Sequence, residues 1–153
     1  MIDGDTLRVR IGRRTERVRI LGIDAPEVGA CFAVEATRAA RAAASGKRVR
    51  LVGDRMQARR DRFGRLLAYV TLPNRQDLGR RLLSGGFARV FVFRRPFGRV
   101  ASYRAAEQAA RNDARGLWSA CVGGTANAAA RAACPAPKPA GGAERGRQKR
   151  RGL

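Results

Sequence analysis

The chain has 153 residues and 16.6 kDa, with 33 Lys and Arg against 12 Asp and Glu, three cysteines and no histidine. Its net charge of +21 asks for a polyanionic partner, nucleic acid first and an anionic membrane surface second, while the missing imidazole excludes Ser-His-Asp and Cys-His catalysis and any His-ligated zinc site. There is room for one domain with a core, in which carboxylates must handle protons or metal and arginines must handle anions.

In chain order, Leu7, Val9 and Ile11 alternate with Arg8 and Arg10, the period-two pattern of a half-buried strand. A turn at Gly12-Arg13-Arg14 leads into a second strand through Val18 and Ile20 to Ile23, which Pro26 ends. Residues 33–45 are Ala-rich and stop at Gly46, a helix, and residues 47–52 alternate again. Residues 66–71 read as a strand, 77–84 as a short helix stopped by Gly85-Gly86, and 87–93 as another strand. Residues 100–115 carry Val100, Tyr103, Glu107 and Ala110 at helical spacing, and Leu117-Trp118 is expected to fold back and seal the core. Strands interspersed with helices predict an α+β domain with a small barrel.

Residues 120–153 are Ala, Gly, Pro and Arg with almost no large apolar side chain, and are expected to be a disordered basic tail. They carry seven Lys and Arg and one Glu, a net +6, which leaves +15 on a domain over residues 1–119. No apolar run of about twenty residues occurs, so no membrane span is expected. No signal peptide is visible before Ile2-Asp3-Gly4-Asp5-Thr6, and the first strand reads as truncated at its start.

Three segments carry chemistry: residues 2–6 (IDGDT), residues 18–27 (VRILGIDAPE) and residues 61–70 (DRFGRLLAYV). Asp5 and Asp24 each stand at a strand end where Gly4 or Pro26 bends the chain, so both can point into one cleft. Two converging carboxylates on so basic a domain imply either an arginine partner or a hard cation such as Ca²⁺. Glu27 lies three residues past Asp24, and Arg19 and Arg65, from different strands, can flank a phosphate. These are the parts of phosphodiester hydrolysis: positive charge on the phosphoryl oxygens and a carboxylate to orient or deprotonate water. Taken singly, each has an ordinary structural use, as a turn cap or a solvated arginine.

These segments, with GGFARV at residues 85–90 and ARGLW at 114–118, resemble the staphylococcal nuclease (thermonuclease) family over most of residues 1–118. The resemblance implies a five-stranded barrel of the OB type with three helices. It implies Asp5, Asp24 and the backbone carbonyl of Ala25 as Ca²⁺ ligands, and Glu27 as general base or water-orienter. Arg19 and Arg65 would hold the scissile phosphate, with Arg62 and Phe63 contacting the nucleotide. The implied activity is Ca²⁺-dependent cleavage of DNA and RNA with little sequence preference, leaving 3′-phosphates, by a secreted or cell-envelope monomer. Phe63 stands where the family has a tyrosine, which keeps the stacking face and loses the hydroxyl; Arg62 replaces a lysine, and a second family tyrosine falls near Val92 and is not retained.

The three cysteines fit neither zinc nor a thiol nucleophile. A Cys31–Cys121 disulfide would tie the domain's end to its front and leave Cys134 unpaired; three reduced thiols are the alternative. The basic run at 145–151 reads as a solvated extension or a non-specific nucleic-acid anchor. A second class of function is an inactive module that binds nucleic acid or protein through the same barrel. Such modules typically lose the carboxylates or arginines, whereas Asp5, Arg19, Asp24, Glu27 and Arg65 are all present.

Overall fold

A computed structural model describes residues 1–121. The elements run β1 (Thr6–Ile11), β2 (Arg14–Ile20), β3 (Ile23–Asp24), α1 (Ala33–Ala44), β4 (Arg50–Val52), β5 (Leu66–Thr71), α2 (Leu78–Ser84), β6 (Arg89–Val90), α3 (Val100–Asn112) and α4 (Leu117–Ala120). From residue 122 onward the expected tail, and Cys134 with it, lie outside the described residues.

The β1–β2 hairpin pairs Thr6 with Arg19, Leu7 with Val18 and Arg8 with Arg17, so Leu7 and Val18 go to the core together. β2 runs parallel to β5, with Val18 opposite Leu66, and β4 closes the other side of β5 antiparallel. The result is one four-stranded sheet of order β1-β2-β5-β4 and a separate two-stranded ladder, β3-β6.

This corrects two expectations. Among the described residues the strands do not close into a five-stranded barrel, and the segment expected to run unbroken to Ile23 is bent at Gly22, which has φ 78°. The Phe97 ring packs on that bend, and a Cβ on Gly22 would come within 2.4 Å of it. β3 therefore leaves the main sheet and pairs with β6 instead. There are also four helices among the described residues rather than three, since Leu117-Trp118 folds back as a one-turn helix. The α+β class stands.

α1 turns Ala36, Ala40 and Ala43 inward at helical spacing, and the small side chains let the helix pack closely on the core. Ile20, Ile23, Val70, Leu78, Leu83 and Tyr103 are among the most deeply buried large side chains of the core. Asp77 caps α2 by accepting the Arg80 N–H at 3.2 Å, and also accepts from Tyr103 Oη (2.9 Å) and Arg99 Nη1 (2.5 Å). Nearby, Asp54 accepts from Tyr69 Oη and from the Gly98 and Met56 N–H groups. Cys31, just before α1, is disulfide-bonded to Cys121, just after α4. Among the described residues no helix is long and apolar enough to cross a membrane.

Candidate active site

The site begins with a turn. Asp3 Oδ1 accepts the N–H groups of Asp5 (3.0 Å) and Thr6 (2.7 Å), folding residues 3–6 back just ahead of β1. Gly4 permits the approach of this turn to the next segment, because a Cβ there would fall 2.5 Å from Ala25 Cβ. Asp5 thereby reaches Ala25, whose N–H donates to Asp5 Oδ2 at 2.9 Å. Its other oxygen accepts the Thr6 hydroxyl (3.1 Å) and lies 3.1 Å from Arg19 Nε. Asp5 is only 6% exposed, and burial pushes its carboxyl up to about 6 against the opposing pull of Arg19, the Ala25 N–H and the Thr6 hydroxyl, with the Asp3 charge adding to the rise.

Arg19 is the hub. Besides Asp5 it binds Asp24 Oδ1 through Nη2 (2.8 Å) and donates through Nη1 to the carbonyls of Ile20 (3.1 Å) and Ile23 (2.6 Å). One guanidinium thus draws together a buried carboxylate from the turn before β1 and an exposed one from β3. Thr6, opposite Arg19 in the hairpin, extends the chain: its hydroxyl oxygen lies 3.5 Å from Arg65 Nη1.

Arg65 enters from the loop before β5. Asp61 shapes this loop by accepting the Phe63 (2.9 Å) and Arg65 (3.0 Å) N–H groups on Oδ1, and fixes the side chain by pairing Oδ2 with Arg65 Nε at 2.6 Å. Burial opposes ionisation of Asp61, but these hydrogen bonds outweigh it and hold its carboxyl below the usual range. The loop presents Phe63 to solvent, 57% exposed, with Arg62 4.7 Å and Arg65 5.4 Å from its ring centre.

Asp5, Thr6, Arg19, Asp24 and Arg65 therefore form one continuous polar chain, with Ala25 attached through its N–H. Glu27 is outside it. It sits on the turn after Pro26, where its carbonyl accepts the Ala30 N–H (2.8 Å), and its exposed side chain makes no hydrogen bond or ion pair among the described residues. Arg19, Arg65 and Phe63 face a cleft of about 860 Å³.

Several participants carry no role in the sequence reading. Thr6 links the two halves of the site and Asp61 holds Arg65, both within segments whose other residues drew attention. Phe91 and Phe93 are the third surprise. Val92, where the family tyrosine would fall, turns toward the core, while its neighbours stand exposed on the cleft with ring centres 6.5 Å apart. The sequence held no signal for that, because residues 90–93 are uniformly apolar and the strand expected over 87–93 is formed only at Arg89–Val90.

The oxygen donors of Asp5, Asp24 and the chain at Ala25 are of the kind a hard cation takes, while in the structure both carboxylates are paired with Arg19, the arginine partner that the sequence offered as the alternative to a cation. Among the described residues no three His, Cys, Asp or Glu side chains converge.

A family model described as "Staphylococcal nuclease homologue" matches residues 17–120. That stretch contains Arg19, Asp24, Glu27 and Arg65 but not Asp5, whose membership of the site rests on its contacts. The chain is 32% identical to "Endonuclease YncB" of Bacillus subtilis (strain 168), over 77% of this chain and 58% of that protein, so it spans less than two thirds of that relative. It is 29% identical to an "Uncharacterized endonuclease" of Escherichia coli O157:H7, over 78% of this chain and 73% of the relative. It is 28% identical to a "Thermonuclease" of Staphylococcus hyicus, over 78% and 72%.

Proposed function

We propose that this chain, which belongs to the staphylococcal nuclease homologue family, is a calcium-dependent endonuclease that hydrolyses DNA and RNA with little sequence preference and leaves 3′-phosphates. The observation that carries the reading is the single chain of contacts joining Asp5 and Asp24 through Arg19 to Thr6 and Arg65 at the edge of one cleft. Nuclease names among the relatives agree with it.

In this reading Asp5, Asp24 and the Ala25 carbonyl would hold Ca²⁺. When bound, the ion supplies positive charge against the scissile phosphate. Arg19 and Arg65 hold the same phosphate from two strands, and their guanidiniums match the charge that grows on its oxygens as water adds. Asp61 keeps Arg65 oriented for this, as Asp5 and Asp24 keep Arg19. Glu27, unpaired on an exposed turn, takes the proton of the attacking water. The bond from phosphorus to the 5′ oxygen breaks, that oxygen leaves as a hydroxyl with a proton from solvent, and the phosphate stays on the 3′ side. Phe63 and Arg62 pack on a base and its phosphate without reading sequence.

A monomer is the reading carried here, since the site as drawn asks for no residue of a second chain. The Cys31–Cys121 bridge supports an exported or cell-envelope location, because disulfides persist where the surroundings are oxidising. Plasmid DNA and RNA incubated with the folded protein are degraded in Ca²⁺ and spared in EGTA, with 3′-phosphate ends on the fragments. Intact substrate in Ca²⁺ overturns the reading in favour of a binding module.

A further inference from the structure

Arg19 does not stand alone on its side of the hairpin. Directly opposed residues of an antiparallel pair project to the same face, and so do every second residues along a strand. The register Thr6–Arg19, Arg8–Arg17 and Arg10–Thr15 therefore puts Arg8, Arg10 and Arg17 on the face that carries Arg19 and Thr6 into the site. Arg8, Arg10 and Arg17 are all exposed, and none takes part in an ion pair among the described residues. The other face differs: Leu7 and Val18 are buried there, and Glu16 is paired with Arg60.

Arg8 opposite Arg17 is an unfavourable arrangement for the protein alone, since like charges directly across a ladder repel. No carboxylate among the described residues pairs with either of them. The row also joins the cleft physically, because Arg17 Nη2 donates to the Phe63 carbonyl at 3.3 Å, on the loop that carries Arg62 and Arg65. Three uncompensated guanidiniums running away from a phosphate-sized site along one rigid ribbon suit an extended chain of phosphates better than an isolated anion.

We propose that the face of the β1–β2 hairpin bearing Arg8, Arg10 and Arg17 is a second phosphate-binding surface, a track that carries the sugar-phosphate backbone of a nucleic-acid strand onward from the Arg19–Arg65 cleft. The track rests on the reading of that cleft as the nuclease site and adds to it what the hairpin does: it binds backbone, reads no bases, and gives long strands an advantage over short ones.

Binding is measured on the full chain in EGTA, so no cleavage is needed and a failure of the hydrolytic reading shows separately, as intact DNA in Ca²⁺. The probes are fluorescent oligo-dT and oligo-rU of about 20 nucleotides, longer than the roughly 4–16 that one OB-type fold covers, with the corresponding dinucleotides as short references. The triple variant Arg8→Gln, Arg10→Gln, Arg17→Gln is expected to lose most of the long probe's advantage. The slope of log affinity against log salt should fall by about 2, so a tenfold drop in salt strengthens its binding roughly 100-fold less than that of the parent. The triple Lys variant, which keeps the charge, is expected to restore the slope. An unchanged slope and length advantage in the Gln variant, or no length advantage in the parent, overturns the track. So does an effect confined to dT or to rU, which a surface reading sugar or base would give.

Discussion

Two clusters in this molecule are made of the same residue types, aspartates and arginines with a neighbouring hydroxyl, and they differ in how completely the carboxylates are used. Beneath α2 and α3, Asp77 accepts from the Arg80 N–H, Tyr103 and Arg99, and Asp54 accepts from Tyr69 and two backbone N–H groups. Each has its hydrogen bonds supplied largely by neutral donors, on elements that would otherwise end unsatisfied. At the cleft the supply thins toward solvent. Asp5 has three partners, Asp24 pairs with Arg19, and Glu27 has no partner among the described residues. A saturated cluster holds the fold, whereas one that ends in exposed carboxylates at Asp24 and Glu27 has capacity for an outside partner.

The sharpest break of that comparison is functional. Arg65→Ala and Glu27→Ala are expected to lower cleavage of DNA in Ca²⁺ by about 10²–10³-fold each while leaving the thermal midpoint within the scatter of the parent, because neither truncation opens the core. Near-parental cleavage by both variants rejects the site assignment. Arg19 is a poorer probe, since it also binds the carbonyls of Ile20 and Ile23, and its removal would disturb chain and chemistry together. Asp77→Ala should give the opposite result. It uncaps α2 and leaves Tyr103 and Arg99 without their acceptor, for a loss of about 2–4 kcal/mol in denaturant unfolding, with cleavage per folded molecule unchanged.

The sequence made the Asp77–Asp54 cluster much harder to read than the cleft. The cleft's residues stand in long, specific motifs, and Asp5, Arg19, Asp24 and Arg65 can be chosen from their types and their places at strand ends. Asp77 is visible only as the first residue of an expected helix, and nothing in the chain says that Tyr103 and Arg99, more than twenty residues away, converge on it. Closure of the sheet failed to be legible for a related reason. Gly22 reads as one more small residue in an apolar run, and only the Phe97 ring packed on it shows that the strand must bend there. Local patterns carry element identity and motif chemistry; long-range packing decides which ends meet.

The aromatics sharpen the same contrast at smaller amplitude. Tyr103 is fully buried, edge-on to Tyr69 and Phe97, whereas Phe63 is exposed between two arginines. Phe63→Ala is expected to weaken oligonucleotide binding by about 1–3 kcal/mol with no loss of stability, and Phe63→Tyr, which keeps the ring face, to stay near the parent. Equal binding by Phe63→Ala and the parent in a fluorescence titration would show that the exposed ring meets no base.

The smallest effect concerns protons. Burial works against ionisation of Asp54, but hydrogen bonds from Tyr69, Gly98 and Met56, helped by the Arg99 charge, outweigh it and hold its carboxyl below the ordinary value. A folded-state value below the unfolded one means that the ionised group contributes stability in full above the unfolded value of about 3.9, and that this contribution is lost as pH falls through the lower, folded value. Asp54→Asn has no such proton to take up. Thermal midpoints of the parent and Asp54→Asn should therefore lie apart near neutral pH and draw together between about pH 5 and about pH 2. Parallel curves would mean that the charge on Asp54 contributes nothing beyond its hydrogen-bond geometry, and the saturated cluster would then be held by shape alone.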